Sequence, residues 1–260
     1  MASAQDEAVC VRLWDWSETS QTVSLLAREH GLIRGIAKGA KREKGSFSGG
    51  FELLTRGELH YIPKPEGRLA TLTSWDLTEV FPGLRGAISA YYAGSYAADV
   101  VHHVFQEGDP HPTLYDALVE LLGRLGGGAN ADARALLMFQ WILLREAGYR
   151  PDVGEEEPLA EDEDDQETLS ERPSEGEGRA WFVPDRGEIV ESEPSGPSWR
   201  VRPGTVRALR RLASTGRIAA DASSTDRANR LLAAYLRAIL DREPASMRFL
   251  FPPNGTGGPR

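Results

Sequence analysis

The chain has 260 residues, 40% hydrophobic and 27% charged, with a formal net charge of −9. That is enough for one large or two modest domains with ordinary buried cores, and no apolar run approaches the roughly 18 residues of a membrane span. The opening MASAQDEAVC carries acids where a signal peptide has a basic region, and Cys10 is the single cysteine, so no intrachain disulfide or cysteine zinc cluster is available. A cytoplasmic protein is the expectation.

From Ala8 to Val80 the pattern is that of strands. AVCVRLWDW alternates Val9, Val11 and Leu13 against Cys10 and Arg12, the period-2 pattern of a half-buried strand. TVSLLARE follows a polar turn, Ser17 to Ser20, and LIRGIAKG follows His30-Gly31, with His30 read as a turn residue. FELLTRGELHYI and RLATLTSWDLTEV complete about five strands, joined by the turn Pro63-Lys64-Pro65-Glu66-Gly67. Five short strands in so few residues suggest a small barrel of the OB type. An SH3-like barrel and a plain antiparallel sheet share the pattern.

At Phe81-Pro82 the period changes to three-four. Ile88, Tyr91, Tyr92, Ser95, Tyr96, Asp99, Val100 and Val104 mark one helix, with Pro82 in its first turn. Pro112-Thr113 opens a second helix, which stops at Gly126-Gly127-Gly128. Asn130 is the expected N-cap of a third, ending at Gly148. Residues 152–178 hold 13 acids and few large apolar groups, the composition of a disordered insert. AWFVPDRGEIV, within 180–191, reads as a hairpin turning at Arg186-Gly187, and two further helices follow at TVRALRRLAS and DRANRLLAAYLRAIL. The expected fold class is therefore α+β: a barrel domain over 1–80 and a helical domain over 81–260, interrupted by the acidic insert.

Charge follows this division. Asp152 to Glu193 alone carries 17 acids and 3 arginines, or −14, so the rest of the chain sums to +5. Trp199 to Arg237 carries 9 arginines against 2 acids. The acidic total therefore does not exclude a nucleic-acid partner.

The run GIAKGAKREKGSFSGG, residues 35–50, invites a phosphate-loop reading, but every template fails. It lacks the spacing and the Gly-Lys-Ser/Thr end of a Walker A loop, no G-x-G-x-x-G precedes a helix, and Phe47 stands where a nucleophile elbow needs serine. His102 and His103 are adjacent on a helix and point about 100° apart, which suits no single ion. Asp99 and His103, four residues apart, read as a helix-surface contact. The acidic run lacks the alternating ligand pattern of a calcium loop. No acid, base and nucleophile assemble, so neither an enzyme nor a cofactor is expected.

What the run offers is charge. Arg34, Lys38, Lys41, Arg42 and Lys44 fall within eleven residues, beside small residues that let a backbone approach phosphate. Phe47, Phe51 and Tyr61 are candidate stacking groups. Arg207, Arg210 and Arg211 form a second basic patch near one helical face, which could equally pair with the acidic insert of the same chain.

The segments LWDWSETSQTVSLLAREHGLIRGIAKGAKREKGSFSGGFELLTRGEL, LATLTSWDLTEVFPGL and YLRAILDREPASMRFL resemble RecO, a bacterial recombination mediator family. The resemblance is strongest over 9–96, moderate over 112–151 and 199–250, and absent in the insert. Trp16-Ser17-Glu18-Thr19-Ser20 and Lys38-Gly39-Ala40-Lys41-Arg42 carry its most specific elements. It implies an N-terminal OB-fold, a helical C-terminal domain and no catalysis. It implies binding of single- and double-stranded DNA, annealing of complementary strands, and a place at the nucleoid. Its implied partners are RecR, the acidic C-terminal tail of the single-stranded DNA-binding protein and, indirectly, RecA, with no membrane. The basic residues Arg34, Lys38, Lys41, Arg42 and Lys44 carry over as DNA contacts. The competing reading is a protein-only adaptor whose acidic insert masks or mimics nucleic acid, and RNA is a third class of partner that composition admits.

The chain departs from many members at one point. After Gly148-Tyr149-Arg150-Pro151 the family often has four zinc-binding cysteines, whereas GEEEPLAEDEDD has neither cysteine nor histidine. The insert is thus read as a degenerate, metal-free version of that module. Elemental analysis of the purified protein is expected to find well under one equivalent of zinc.

Overall fold

The computed structural model describes residues 3–42, 45–47, 50–65, 67–154 and 179–251. Strands β1 (Ala4–Asp15), β2 (Gln21–Ala27), β3 (Gly31–Ala37), β4 (Arg56–Ile62) and β5 (Ala70–Glu79) close into a barrel in the order β1-β2-β3-β5-β4. All pairings are antiparallel except β3 with β5, which run parallel from Gly35↔Ala70 to Ala37↔Leu72. This is the OB-type barrel expected from the strand pattern. Its interior is filled by Ala8, Cys10, Val23, Leu25, Ile33, Leu59, Leu72 and Trp75.

Strand β1 is not half-buried. Cys10 points into the barrel while Val9 and Val11 join a second core shared with the helices. The register explains the change of side: Cys10 pairs with Leu25 but Arg12 pairs with Ser24, so Val11 is an extra, bulged residue. The bulge puts Val11 and Arg12 together on the outer face and returns Leu13 toward the interior. Alternation alone assigned Cys10 to the polar side, because period 2 cannot register a second core or an inserted residue.

The helical region begins with a short α1 (Gly83–Gly86) and continues with α2 (Ile88–Val104), α3 (Pro112–Arg124) and α4 (Ala129–Glu146). Two sequence expectations are corrected here. Ala87 is extended (φ −145°), so Pro82 leads into α1 rather than into the long helix. Asn130 lies inside α4, whose N-cap is Gly128 at φ 111°. The buried face of α2 is also not the expected stripe: Ala90, Ala93, Gly94, Tyr96, Ala97, Val100 and Val101 are inside, whereas Ile88 is 66% exposed. Small residues face inward because α2 lies close against β1 and its neighbouring helices.

Beyond the acidic segment, β6 (Ala180–Val183), β7 (Glu188–Val190) and β8 (Trp199–Val201) form a sheet in the order β7-β6-β8. The chain entering that segment is already seated: the Asp152 amide donates to the Gly187 carbonyl, Ile189 donates back to Asp152, and Val153 is buried. The expected insert over 152–178 thus begins with three described, placed residues, and the rest of it, 155–178, lies outside the described residues. Helices α5 (Pro203–Thr215), α6 (Ala222–Leu240) and α7 (Met247–Leu250) complete the fold. Asp221 caps α6 by accepting from the Ser224 amide at 2.8 Å.

One polar chain crosses the helical core. Buried Tyr96 donates to Gln140 Oε1 at 2.9 Å, Gln140 Nε2 donates to Asn229 Oδ1 at 2.7 Å, and Asn229 donates to the Ala133 carbonyl at 2.8 Å. It ties α2, α4 and α6 in one register. Replacing Gln140 with alanine orphans partners on both sides, at about 1–3 kcal/mol for each buried group left unpaired. A fall of that size in unfolding free energy is expected in urea titrations of Gln140→Ala.

Candidate nucleic-acid interface

The basic run does not form a hairpin connection, because β3 and β4 are not neighbours in the sheet. It crosses one end of the barrel and is pinned there from both sides. The Gly39 amide donates to Ser20 Oγ at 3.2 Å, and the Lys41 amide donates to the Thr19 carbonyl at 3.1 Å. Gln21 takes both backbone groups of Phe51, accepting from its amide at 3.0 Å and donating to its carbonyl at 3.2 Å. Phe47 and Phe51 close the barrel end, with Phe51 packed on Trp75 at 4.9 Å between ring centroids.

This placement overturns the stacking candidates. Phe47, Phe51 and Tyr61 are 7%, 3% and 5% exposed, so all three belong to the barrel core. The aromatics available to a ligand are Trp14 and Trp16, which are 38% and 65% exposed at the end of β1 and in the β1–β2 turn. The sequence held a signal for them, since large apolar rings interleaved with Asp15, Ser17 and Glu18 have no interior to enter on a polar turn. Trp16, Ser17, Thr19, Ile36, Lys38, Gly39 and Arg42 line one hollow of about 290 Å³.

The cations differ in their surroundings. Lys38 and Arg42 are exposed and pair with no acid among the described residues. Lys41 is paired with Asp15 at 2.6 Å, and Arg34 with Glu107 of the α2–α3 connection. Lys44 lies outside the described residues. On β3 the outward positions are Leu32, Arg34 and Ile36, followed by Lys38, so these cations follow one edge of the outer face rather than a loop tip. Together with Trp16 they make a strip of positive charge and one flat ring, the combination that holds a single-stranded backbone and its bases.

The same outer face meets the helices. Arg12 reaches Asp99 at 3.5 Å and His103 at 3.4 Å, and its guanidinium lies 5.1 Å from the Trp14 ring centre. Asp99 and His103 do pair, but at this joint rather than on a helix surface. His102 sets its ring edge toward Trp14 at 5.8 Å. Burial, and then the neighbouring His103, Arg12 and Arg34, push its pKa down to about 4, so the ring is uncharged at neutral pH.

The three arginines of α5 differ in their surroundings. Arg207 and Arg211 are exposed, but Arg210 is half-buried, donates to the Val153 carbonyl at 2.8 Å and lies 3.7 Å from Glu191. Arg210 therefore fastens α5 to the small sheet. Among the described residues no group of three His, Cys, Asp or Glu side chains is placed to hold a metal ion, and no helix is long and apolar enough to cross a membrane.

Comparison with known proteins covers nearly the whole chain. Residues 1–81 match the family model "Recombination protein O N terminal", and residues 85–248 match "Recombination protein O C terminal". The DNA repair protein RecO of Anaeromyxobacter sp. is 29% identical over 249 residues, 92% of each chain. That of Variovorax paradoxus is 28% identical over 247 residues, 92% of this chain and 90% of the other. That of Rhodopirellula baltica is 35% identical over 144 residues, a match spanning 55% of this chain and about half, 53%, of the other protein.

If Glu107 shields Arg34 from phosphate, then Glu107→Gln exposes a cation while Trp16→Ala removes a ring. In fluorescence anisotropy with single-stranded oligonucleotides, the first is expected to tighten binding several-fold. The second is expected to weaken it by about 1–3 kcal/mol, the range for removal of one base–aromatic stack.

Proposed function

The chain belongs to the recombination protein O family, and from that premise we propose that it serves DNA repair as a non-catalytic recombination mediator. It binds single- and double-stranded DNA, anneals complementary strands, and with RecR helps load RecA onto gaps coated with single-stranded DNA-binding protein. Its site of action is the cytoplasm, at the nucleoid. The observation that carries this reading is the strip of Arg34, Lys38 and Arg42 beside exposed Trp16 on the outer face of the barrel. A stacking ring and cations with no acidic partner among the described residues at its loop end suit a flexible backbone with open bases. Their weak acidic partners at Arg34 and Lys41 suit a surface that must also release it.

The helical domain supports a second contact. Ile88, Tyr91 and Phe249 are exposed, Phe249 stacks on Tyr92 at 5.0 Å, and Arg248 lies 4.7 Å over the Phe249 ring. With Arg248, these groups combine an apolar platform and positive charge, while Arg85 on α1 is paired with Glu52 at 3.1 Å. That chemistry matches an acidic peptide, and this face is the reading's place for the tail of the single-stranded DNA-binding protein.

The protein-only alternative is separated by deleting residues 155–178. Tighter DNA binding supports internal masking of the basic surface, whereas no DNA binding in either form supports the adaptor. The decisive assay is annealing of complementary strands coated with single-stranded DNA-binding protein, which is expected to accelerate with this chain present. Alanine at Lys38, Lys41, Arg42 and Lys44 together is expected to slow annealing. It should also flatten the log–log salt dependence of single-strand binding by about 0.7 for each phosphate no longer neutralised. An unchanged slope removes the loop from the interface.

A further inference from the structure

A cavity of about 690 Å³ opens where the barrel meets the helices. Its walls come from separate segments: the β2–β3 turn with Glu29 and His30, β3, the β4–β5 turn with Pro63, Lys64 and Arg68, and the end of α2 with His102 and the connection after it with Phe105 and Glu107. The volume falls in the range of sites that enclose a small organic group. Such a space is not an accident of loose packing, because the segments are locked. The Gly108 amide donates to the Leu32 carbonyl at 3.1 Å, and Gly31 sits so close to Asp109 that a Cβ would lie 2.1 Å from its carbonyl oxygen. Prolines on both sides of Lys64 restrict the turn that carries it.

The lining is two-sided in chemistry. Two imidazole rings belong to it: His30, set edge-on to Tyr61 at 6.0 Å and 2.7 Å from buried Asp6, and His102, uncharged at neutral pH. Arg34, Lys64 and Arg68 add cations to the lining. Glu107 is taken by Arg34, and Glu29 lies 3.5 Å from Arg28, which Asp116 holds more closely at 2.9 Å, while Lys64 and Arg68 pair with no acid among the described residues. A ligand with a flat heterocycle and an attached anion satisfies both sides. The cavity is also continuous with the strip already described. Arg34 lines the cavity and Ile36, the next outward residue of β3, lines the hollow at Trp16, so the two are about 7 Å apart along the strand.

We infer that this cavity receives one unstacked nucleotide of a bound single strand, with its base against the ring-lined wall and its phosphate on Lys64 and Arg68. The inference rests on the single-strand binding proposed above and adds a place and a register to it. A base inside this pocket is out of any stack and cannot be paired. The pocket therefore favours single strands over duplex, and a strand held there offers its neighbouring bases to a complement. Base identity matters little, since flat rings stack on every base.

The test uses the full chain and a single-stranded oligodeoxynucleotide carrying 5-iodouracil, photo-cross-linked and mapped by mass spectrometry. Cross-links are expected in the peptides containing His30 and His102. Gln106→Trp, at an exposed lining position, narrows the cavity. It is expected to abolish those cross-links and weaken single-strand binding about tenfold while leaving duplex binding unchanged. Lys64→Ala with Arg68→Ala, on an exposed turn, is expected to lower the salt slope by about 0.7, for the one phosphate they hold. Single-strand binding at full affinity by both variants, with cross-links confined to Trp14, Trp16 and the 38–47 run, overturns the nucleotide pocket and leaves the DNA-binding reading standing. Absence of any single-strand binding by the unaltered chain overturns both.

Discussion

Burial of β1 on both faces is the constraint from which the rest of the structure follows. Its inward residues complete the barrel, and its outward residues Val9 and Val11 enter the core of the helical region. Leu26, Leu32 and Leu54 join them from other parts of the barrel, so the two parts of the chain share one hydrophobic core. The polar fasteners surround that core: Arg12 on Asp99, Arg28 on Asp116 at 2.9 Å, and Arg56 between Glu79 and Tyr115. Removal of apolar area from water supplies the attachment, and the ion pairs at its margin set orientation more than strength.

That attachment decides which barrel surface remains for a ligand. The outer face near Val9, Val11 and Leu26 is covered by helices, and what stays open is the far edge of β3, the β1–β2 turn and the β4–β5 turn. Positive charge is concentrated there. Two of its cations are held by Glu107 and Asp15 in surface pairs, and such pairs contribute about 0–1 kcal/mol each. A phosphate can displace acids bound that weakly, so the pairs order the side chains and compete with phosphate only modestly.

The bulge at Val11 has an effect beyond packing. Without the extra residue, Arg12 would turn toward the barrel interior and Asp99 would face no cation from β1. With it, Arg12 bridges Asp99 and the Trp14 ring, while the second Asp99 oxygen accepts from the Ala245 amide at 2.9 Å. One carboxylate therefore ties the barrel, α2 and the segment leading into α7. Both candidate contact surfaces, the strip near Trp16 and the platform near Phe249, are positioned from this joint.

The amino-acid sequence by itself determined the elements whose periodicity is local. The five strands, the long helices from Pro112 onward and the turn at Arg186-Gly187 follow from alternation, proline and glycine placement, and three-four spacing, all of which act within a few residues. It also determined that the −9 total conceals a basic remainder, and the basic run itself was legible as charge. Tertiary structure alone decided which side chains of that region reach solvent. Phe47 and Phe51 follow the basic residues in the same loop yet plug the barrel, because the loop crosses from β3 to β4 over an open end that needs apolar cover. Trp16 stands in a polar turn and stays outside. Arg210 shares a helical face with Arg207 and Arg211 but is drawn to the Val153 carbonyl. In each case the deciding partner lies tens of residues away, and burial is a property of the closed barrel and its joint with α2, which no local spacing encodes.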